Sequence, residues 1–293
     1  MKNKFFYKFR LKFEYYVIYF LYLLSSLLPS TLMSKLGGLI FRFIGPMTKL
    51  QRVVKKNIIK LFPDIKKFKI KKISLDSWEN TGKTFFELLT LSKIINNQNR
   101  INIEGIENIK NVMKESERVI FIGIHQSNWE ILLPSIDKLG IPVAGIYRHI
   151  NNPYIDKLIL NIRKKSINSK QSFYTPKGKK SARDIIESVK NKTSIVLLID
   201  QKDSAGETVS FFSFPVKTQT GFIKIAKKYN LRIFPVQNIR NNDNTFTLRF
   251  HKPLDKLKQD QPDKNTMLEI HNIIEQWIKS KPSDWFLQHN RFS

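Results

Sequence analysis

Residues 118–130 have the sequence RVIFIGIHQSNWE, and this stretch decides the fold. Its first half, 118–124, is short, apolar and rich in β-branched residues, as expected for a strand that is buried on both faces. A polar loop follows, and residues 129–139 have apolar residues at helical spacing. A buried strand that leads through a loop into a helix predicts the beginning of a β–α unit.

The same alternation continues to the end of the chain. Further strands are predicted at 141–147, 194–199, 232–239 and 245–251, and further helices at 153–164, 181–190, 220–229 and 264–279. Strands that alternate with helices predict an α/β fold, with a mostly parallel or mixed sheet that is flanked by helices.

The N-terminal 50 residues have a different character. Basic residues up to Lys12 precede an uncharged run, 15–34, which would be about 30 Å long as a helix. Pro29 is expected to end or kink this helix near Leu28. The basic start and the clustered tyrosines favour a membrane-anchoring helix, spanning or interfacial, over a buried helix; a cleaved signal peptide lacks its small-residue cleavage site. We therefore predict an anchor region at 1–50 and a catalytic domain at 51–293.

Composition limits the classes of function. The chain has 293 residues, 41% of them hydrophobic, so it can form a packed core. It has no cysteine, which excludes disulfides, thiol nucleophiles and Cys-ligated metals. The formal net charge of +27 fits a nucleic acid, an anionic membrane or an acidic protein as partner.

His125 and Glu130 are the first candidates for chemistry. On one continuous helix they would face away from each other, so a contact requires His125 to precede the helix and Glu130 to lie in its first turn. The spacing Ser127-x-x-Glu130 fits this, because it is typical of a capping box. A neutral histidine held by a carboxylate can act as a general base on a hydroxyl. The alternative is structural: Glu130 only caps the helix, and His125 is an ordinary loop residue.

Three further residues are candidates for substrate binding. Arg148 and Arg163 flank the predicted helix at 153–164, and an arginine there suits a phosphate or carboxylate. Asp200 directly follows a predicted buried strand. Each also has a structural alternative, as a solvated arginine or a turn-forming aspartate. Asp203 and Glu207 lie near Asp200, but three acids without histidine or cysteine are a weak metal signal.

Five segments, in order, resemble one family. IGIHQSNWE resembles the H-x4-D/E motif of glycerolipid acyltransferases, and more narrowly the H-x-G-N-W-E form of the late lipid A acyltransferases (lauroyl and myristoyl transferases). The other four segments are IYRHINNPYIDKLI (146–159), LLIDQKD (197–203), FFSFPVKTQTGFIKIA (211–226) and DWFLQHNRF (284–292). Ser127 and Ser213 depart from the pattern, because the family commonly has glycine there; Asn290 stands where it often has arginine.

The resemblance implies an O-acyltransferase that needs no metal or cofactor. His125 would be the general base and Glu130 would orient it. Arg163 and Arg148 would hold anionic parts of the acceptor, and Asp200 would position it. The implied donor is acyl–acyl carrier protein, and the implied acceptor is a lipid A precursor at the cytoplasmic face of a bacterial inner membrane.

Two alternatives stay open at this point. The nearer one is an acyltransferase for a lysophospholipid or another glycerolipid acceptor. The farther one is a basic, membrane-tethered protein that binds nucleic acid or anionic lipid. No nucleic-acid-binding motif accompanies the charge, so nucleic acid is not an expected partner.

Overall fold

A computed structural model describes residues 2–115, 117–254, 257 and 259–292, with the backbone alone for 2–5 and 179–182. The predicted α/β fold is confirmed. The strands are β1 (Ile101–Glu104), β2 (Val119–Gly123), β3 (Val143–Tyr147), β4 (Phe173–Pro176), β5 (Ser194–Leu198), β6 (Lys202–Phe211), β7 (Phe214–Thr218), β8 (Arg232–Arg240) and β9 (Phe246–Phe250).

Seven strands form one mixed sheet in the order β1-β9-β8-β2-β5-β3-β4. All neighbours are parallel except β8 and β9, which are antiparallel. Strands β6 and β7 pair separately as an antiparallel hairpin. Along β2, Ile120 and Ile122 belong to the core on one face, and Val119 and Phe121 belong to the core on the other. The sheet is therefore covered on both sides, as a buried apolar strand requires.

The helices in the described ranges surround this sheet. They are α1 (Lys2–Leu27), α2 (Ser30–Ile44), α3 (Gln51–Leu61), α4 (Lys67–Leu89), α5 (Leu91–Asn96), α6 (Lys110–Glu115), α7 (Leu132–Lys138), α8 (Pro153–Lys164), α9 (Lys179–Lys190), α10 (Gly221–Tyr229) and α11 (Asp263–Ser280). Helix α8 has the predicted bounds. Asn152 caps it by accepting from the N–H groups of Tyr154 and Ile155, and Pro153 is its first residue.

Pro29 separates α1 from α2, close to the predicted break at Leu28. None of the helices in the described part of the chain has both the length and the apolar content that a membrane span requires. The prediction of a spanning helix is therefore not supported, because basic residues up to Lys12 occupy the first half of α1 and α2 has only 15 residues.

Helix α2 packs tightly on α4, where two glycines meet. A Cβ atom on Gly82 would collide with the carbonyl oxygen of Gly37, and one on Gly37 would collide with Gly82 and Phe86. Met33 is fully buried in the same contact region. The boundary near residue 50 stays a prediction, but α2 contacts the body of the protein over most of its length.

The Gly37–Gly82 contact can be tested with Gly82→Ala. The added methyl group has no room beside the Gly37 carbonyl, so the free energy of unfolding should fall by about 1–3 kcal/mol. Urea unfolding followed by circular dichroism measures it. Gly221→Ala is the control, because the space around Gly221 is open and alanine favours a helix. Equal stability of the wild type and Gly82→Ala would contradict the close contact.

Candidate active site

The loop after β2 carries His125 and is held by the C-terminal segment. The His125 carbonyl accepts from the N–H of Phe286 at 2.8 Å, and the Ser127 N–H donates to the carbonyl of Asp284 at 2.8 Å. Ser127 has a φ of 57°, and Ser213 has a φ of 64°. Both residues have the left-handed backbone conformation that glycine adopts most easily.

His125 pairs with Asp200. The Nδ1 atom of His125 lies 2.7 Å from Asp200 Oδ1, and the His125 backbone N–H lies 3.1 Å from both carboxylate oxygens. Trp285 Nε1 donates to Asp200 Oδ2 at 2.7 Å. Asp200 is buried, with 3% of its surface exposed, whereas the His125 side chain is 16% exposed. The imidazole therefore has a buried carboxylate on its Nδ1 side.

This arrangement keeps Asp200 ionised. Burial by itself raises the pKa of the carboxyl group. Attraction to the His125 ring and the hydrogen bonds from His125 and Trp285 outweigh this effect and lower the pKa to about 2. The carboxylate accepts from Nδ1 of His125, so in the neutral form of the imidazole the Nε2 atom has the lone pair.

Glu130 does not orient His125 in this structure, which corrects the predicted His125–Glu130 pair. Its carboxylate accepts from Arg163, from Nε at 2.8 Å and from Nη2 at 2.6 Å. The two side chains are 10% and 15% exposed. Burial alone would lower the pKa of Arg163, but the charge and hydrogen bonds of Glu130 raise it. Glu130 pairs with Arg163 because a guanidinium matches both carboxylate oxygens at once.

The predicted capping box is also wrong. The helical turn that begins at Trp129 is capped by Asn128, whose Oδ1 accepts from the Glu130 N–H at 3.1 Å. Ser127 is fully buried, and its left-handed backbone takes it out of the cap position. Asp200 contacts His125 and Trp285, and its predicted contact with the acceptor stays a prediction.

A buried ion pair lies beneath the loop. Glu87 is fully buried, and Arg240 is 6% exposed; Arg240 Nη2 donates to Glu87 Oε2 at 2.8 Å. Asn128 Nδ2 donates to the same oxygen at 2.9 Å. Asn238 donates to the Asn128 carbonyl, and Thr84 donates to the Ser127 carbonyl at 2.7 Å. The loop conformation is therefore determined by polar contacts from α4 and β8.

His125, Glu130, Arg148 and Arg163 line one cavity of about 760 Å³. It opens where β3 and β5 separate. Their pairing ends at Gly145 and Val196, although β3 continues to Tyr147 and β5 to Leu198. Apolar residues from both faces of the sheet line it, including Leu132, Leu133, Val196, Leu197, Phe222 and Ile225. Arg148 is exposed at its wall.

Several residues of this site were not identified from the sequence. Gln201 Nε2 lies 3.2 Å from His125 Nε2, and the rings of Trp129 and Phe286 lie 5.3 and 6.3 Å from the His125 ring. The motif segments contain Gln201, Trp129 and Phe286, but nothing in them assigns a contact. Trp285, which donates to Asp200, lies in the C-terminal motif segment, and that segment likewise does not reveal this contact.

A family model describes the whole chain. The model of the bacterial lipid A biosynthesis acyltransferases matches residues 3–293. The chain belongs to this family. It is therefore an acyltransferase of lipid A biosynthesis, and the family resemblance seen in the five motifs is confirmed. A search of curated proteins found no match to this chain.

The His125–Asp200 pair predicts the effect of Asp200→Asn. Asparagine has one acceptor oxygen for two donors, Trp285 Nε1 and His125 Nδ1. When this oxygen accepts from Trp285, the NH2 group faces Nδ1 and cannot accept from it, so the ring proton moves to Nε2 and the lone pair is lost from the cavity. Acyl transfer should fall by about 10³–10⁴-fold with the fold intact. The turnover number of the purified acyltransferase, with circular dichroism for folding, measures this.

Asp203→Asn is the matched control for this prediction. Asp203 is the next acidic residue along the chain, and it pairs with Lys177 at 3.7 Å instead of with histidine. Its replacement should change turnover far less. Equal losses in the two variants would show that the charge of Asp200 does not act through His125.

Proposed function

We propose that the protein transfers a fatty acyl group from acyl–acyl carrier protein to a hydroxyl of a lipid A precursor, at a membrane surface. The observation that carries this proposal is the His125–Asp200 pair beside the cavity. It supplies a general base, and its neighbours supply binding groups for an anionic lipid and an acyl chain. Family membership supports acyl transfer in lipid A biosynthesis.

The chemistry follows from the tautomer of His125. Its Nε2 accepts the proton of the acceptor hydroxyl while the oxygen attacks the thioester carbonyl. The tetrahedral intermediate then expels the carrier thiolate, which takes the proton from Nε2. Asp200 stays ionised throughout and stabilises the imidazolium that forms between the two steps.

Arg163 and Arg148 are proposed to bind the anionic part of the acceptor. Glu130 holds Arg163 through Nε and Nη2, so the Nη1 group lies outside this bidentate contact. Glu130 thus acts in the site by fixing Arg163, a role that replaces direct contact with His125. Arg148 adds a second guanidinium at the exposed wall, where a phosphate headgroup meets solvent.

The separation of β3 and β5 suits an acyl chain. Apolar side chains from both faces of the sheet line this part of the cavity, which begins where the pairing of β3 and β5 ends, at Gly145 and Val196. An acyl chain bound there would be removed from water, which favours binding by about 0.8 kcal/mol for each buried CH₂. The thioester would then lie near His125, since both line one cavity.

Helices α1 and α2 support an interfacial membrane contact. Each exposes a stripe of large apolar residues at helical spacing, formed in α1 by Phe6, Phe9, Phe13, Tyr16, Phe20, Leu23 and Leu27. In and after α2 the stripe contains Leu39, Ile40, Phe43, Ile44 and Met47. Water-exposed stripes of this kind are typical of helices that lie in the lipid headgroup region. The basic residues Lys8, Arg10 and Lys12 would attract anionic lipid.

The acyl-transfer proposal is tested with purified protein, acyl–acyl carrier protein and a lipid A precursor, with products identified by mass. His125→Ala removes the base, so transfer should fall by at least about 10³-fold. His149→Ala is the control, because His149 is an exposed histidine that pairs with Asp156 and should be dispensable.

A parallel reaction with a lysophospholipid acceptor distinguishes transfer to a lipid A precursor from the nearest alternative, transfer to a lysophospholipid. Transfer to the lysophospholipid alone, still dependent on His125, would replace the acceptor and keep the chemistry. Transfer that persists in His125→Ala would contradict the proposed mechanism for either acceptor.

The membrane contact predicts the behaviour of a Leu39→Asp, Phe43→Asp double variant. Leu39 is 67% exposed and Phe43 is 77% exposed, so the changes leave the core intact. Charges at these positions oppose burial in lipid, and binding to vesicles that contain anionic phospholipid should weaken at least tenfold. Met113→Asp, an exposed apolar position on α6, is the control in a flotation assay. Equal flotation of all three proteins would exclude the α2 stripe as a lipid contact.

A further inference from the structure

The Nε2 atom of His125 has a partner within the protein itself. The side-chain amide nitrogen of Gln201 lies 3.2 Å from it, and both residues line the cavity. Gln201 directly follows Asp200, which binds the other nitrogen of the same ring at 2.7 Å. Two consecutive residues therefore contact the two ring nitrogens.

The protonation of the two ring nitrogens decides whether the amide nitrogen or the amide oxygen of Gln201 faces His125 Nε2. Asp200 accepts from Nδ1, so a neutral imidazole has only a lone pair at Nε2. A lone pair needs a donor, and the Gln201 NH2 group is one. The rings of Trp129 and Phe286 border the imidazole as well and offer no strong donor or acceptor through their faces.

We propose that Gln201 gates the general base: its amide occupies His125 Nε2 until the acceptor hydroxyl displaces it. The proposal rests on the proposed function, in which Nε2 is the atom that receives the hydroxyl proton. Gln201 is a positioning residue in this scheme, because it acts through His125.

The gate protects the acyl donor from water. Without it, a water molecule can donate to Nε2, and its oxygen can attack the thioester carbonyl as the proton moves to His125. The C–S bond then breaks, the thiolate takes that proton, and the products are a fatty acid and the free carrier thiol. A hydroxyl that is also held by the rest of a bound lipid competes with the amide far better than a free water molecule does.

The first experiment needs no substrate. Diethyl pyrocarbonate reacts with the lone pair of an imidazole nitrogen, so its rate at His125 reports how accessible Nε2 is. In Gln201→Met the donor is lost while the side-chain length is kept, and modification of His125 should become about two- to tenfold faster, the range that one net hydrogen bond allows.

Mass spectrometry of a tryptic digest resolves this rate. Residues 119–138 form one peptide in which His125 is the only histidine, and residues 149–157 form another that contains His149. The exposed His149 is the internal reference and should react equally in both proteins. Gln219→Met, at a second glutamine of the same cavity, is the matched control and should leave the His125 rate unchanged. Equal His125 rates in Gln201→Met and wild type would overturn the proposal.

The second experiment measures turnover. Gln201→Met should raise hydrolysis of the acyl donor relative to transfer, and should lower the KM for the acceptor about two- to tenfold at nearly constant kcat. A lower kcat with unchanged KM and an unchanged hydrolysis ratio would assign Gln201 a purely structural role and overturn the gate. Absence of transfer by the wild type would instead contradict the proposed function, while the chemical-modification result would still decide whether Gln201 covers Nε2.

Discussion

The buried ion pair between Glu87 and Arg240 connects helix α2, helix α4 and strand β8 to the loop that carries His125. Two charges without water are costly unless hydrogen bonds satisfy them. Here Ser34 from α2 and Asn128 from the catalytic loop donate to Glu87, and Asn80 and Thr84 from α4 accept from Arg240. Loss of one partner of such a pair costs about 3–5 kcal/mol. Helix α2 and the His125 loop therefore depend on one buried carboxylate.

Above this ion pair, each of two carboxylates forms a hydrogen-bonded pair with one basic side chain. Asp200 binds His125 and Glu130 binds Arg163. A buried aspartate at the end of a neighbouring strand reaches the imidazole directly, and the arginine in the last turn of α8 offers Glu130 a bidentate contact. His125 and Arg163 are thereby oriented by different carboxylates.

The sequence predicted the larger features well. Alternating apolar runs located β2, β3, β5, β8 and β9, and the Asn-Asn-Pro segment located the start of α8, because these signals are local. The short strands β1 and β4 and the β6–β7 hairpin were missed, because edge strands and hairpins carry few buried residues and weak periodicity. The antiparallel direction of β9 could not be predicted either, because strand direction depends on the segment that connects two strands and not on the residue pattern within them.

The site residues show the same limit. His125, Glu130, Arg148 and Arg163 lie around one cavity, and the motifs gave these positions. The motifs did not give the pairing, because sequence spacing fixes neither which carboxylate is nearest to a ring nitrogen nor how deep it is buried. Trp285, Gln201 and Glu87 contact the site from segments that are distant along the chain, so only the three-dimensional arrangement identifies them.

Helices α1 and α2 differ in how they contact the rest of the protein, and this difference affects the design of a shortened protein for crystallisation. Helix α1 is held by Lys93, which donates to the carbonyls of Ser25 and Ser26 at its end, and by Asn152, which donates to the carbonyl of Leu11 near its middle. Helix α2 instead buries Met33 in the core and packs closely against Gly82 of α4. A shortened version for crystallisation should therefore begin at Pro29 and retain α2. A version that begins at residue 51, at the boundary suggested by hydropathy, would expose the core of α4 and leave Glu87 without Ser34.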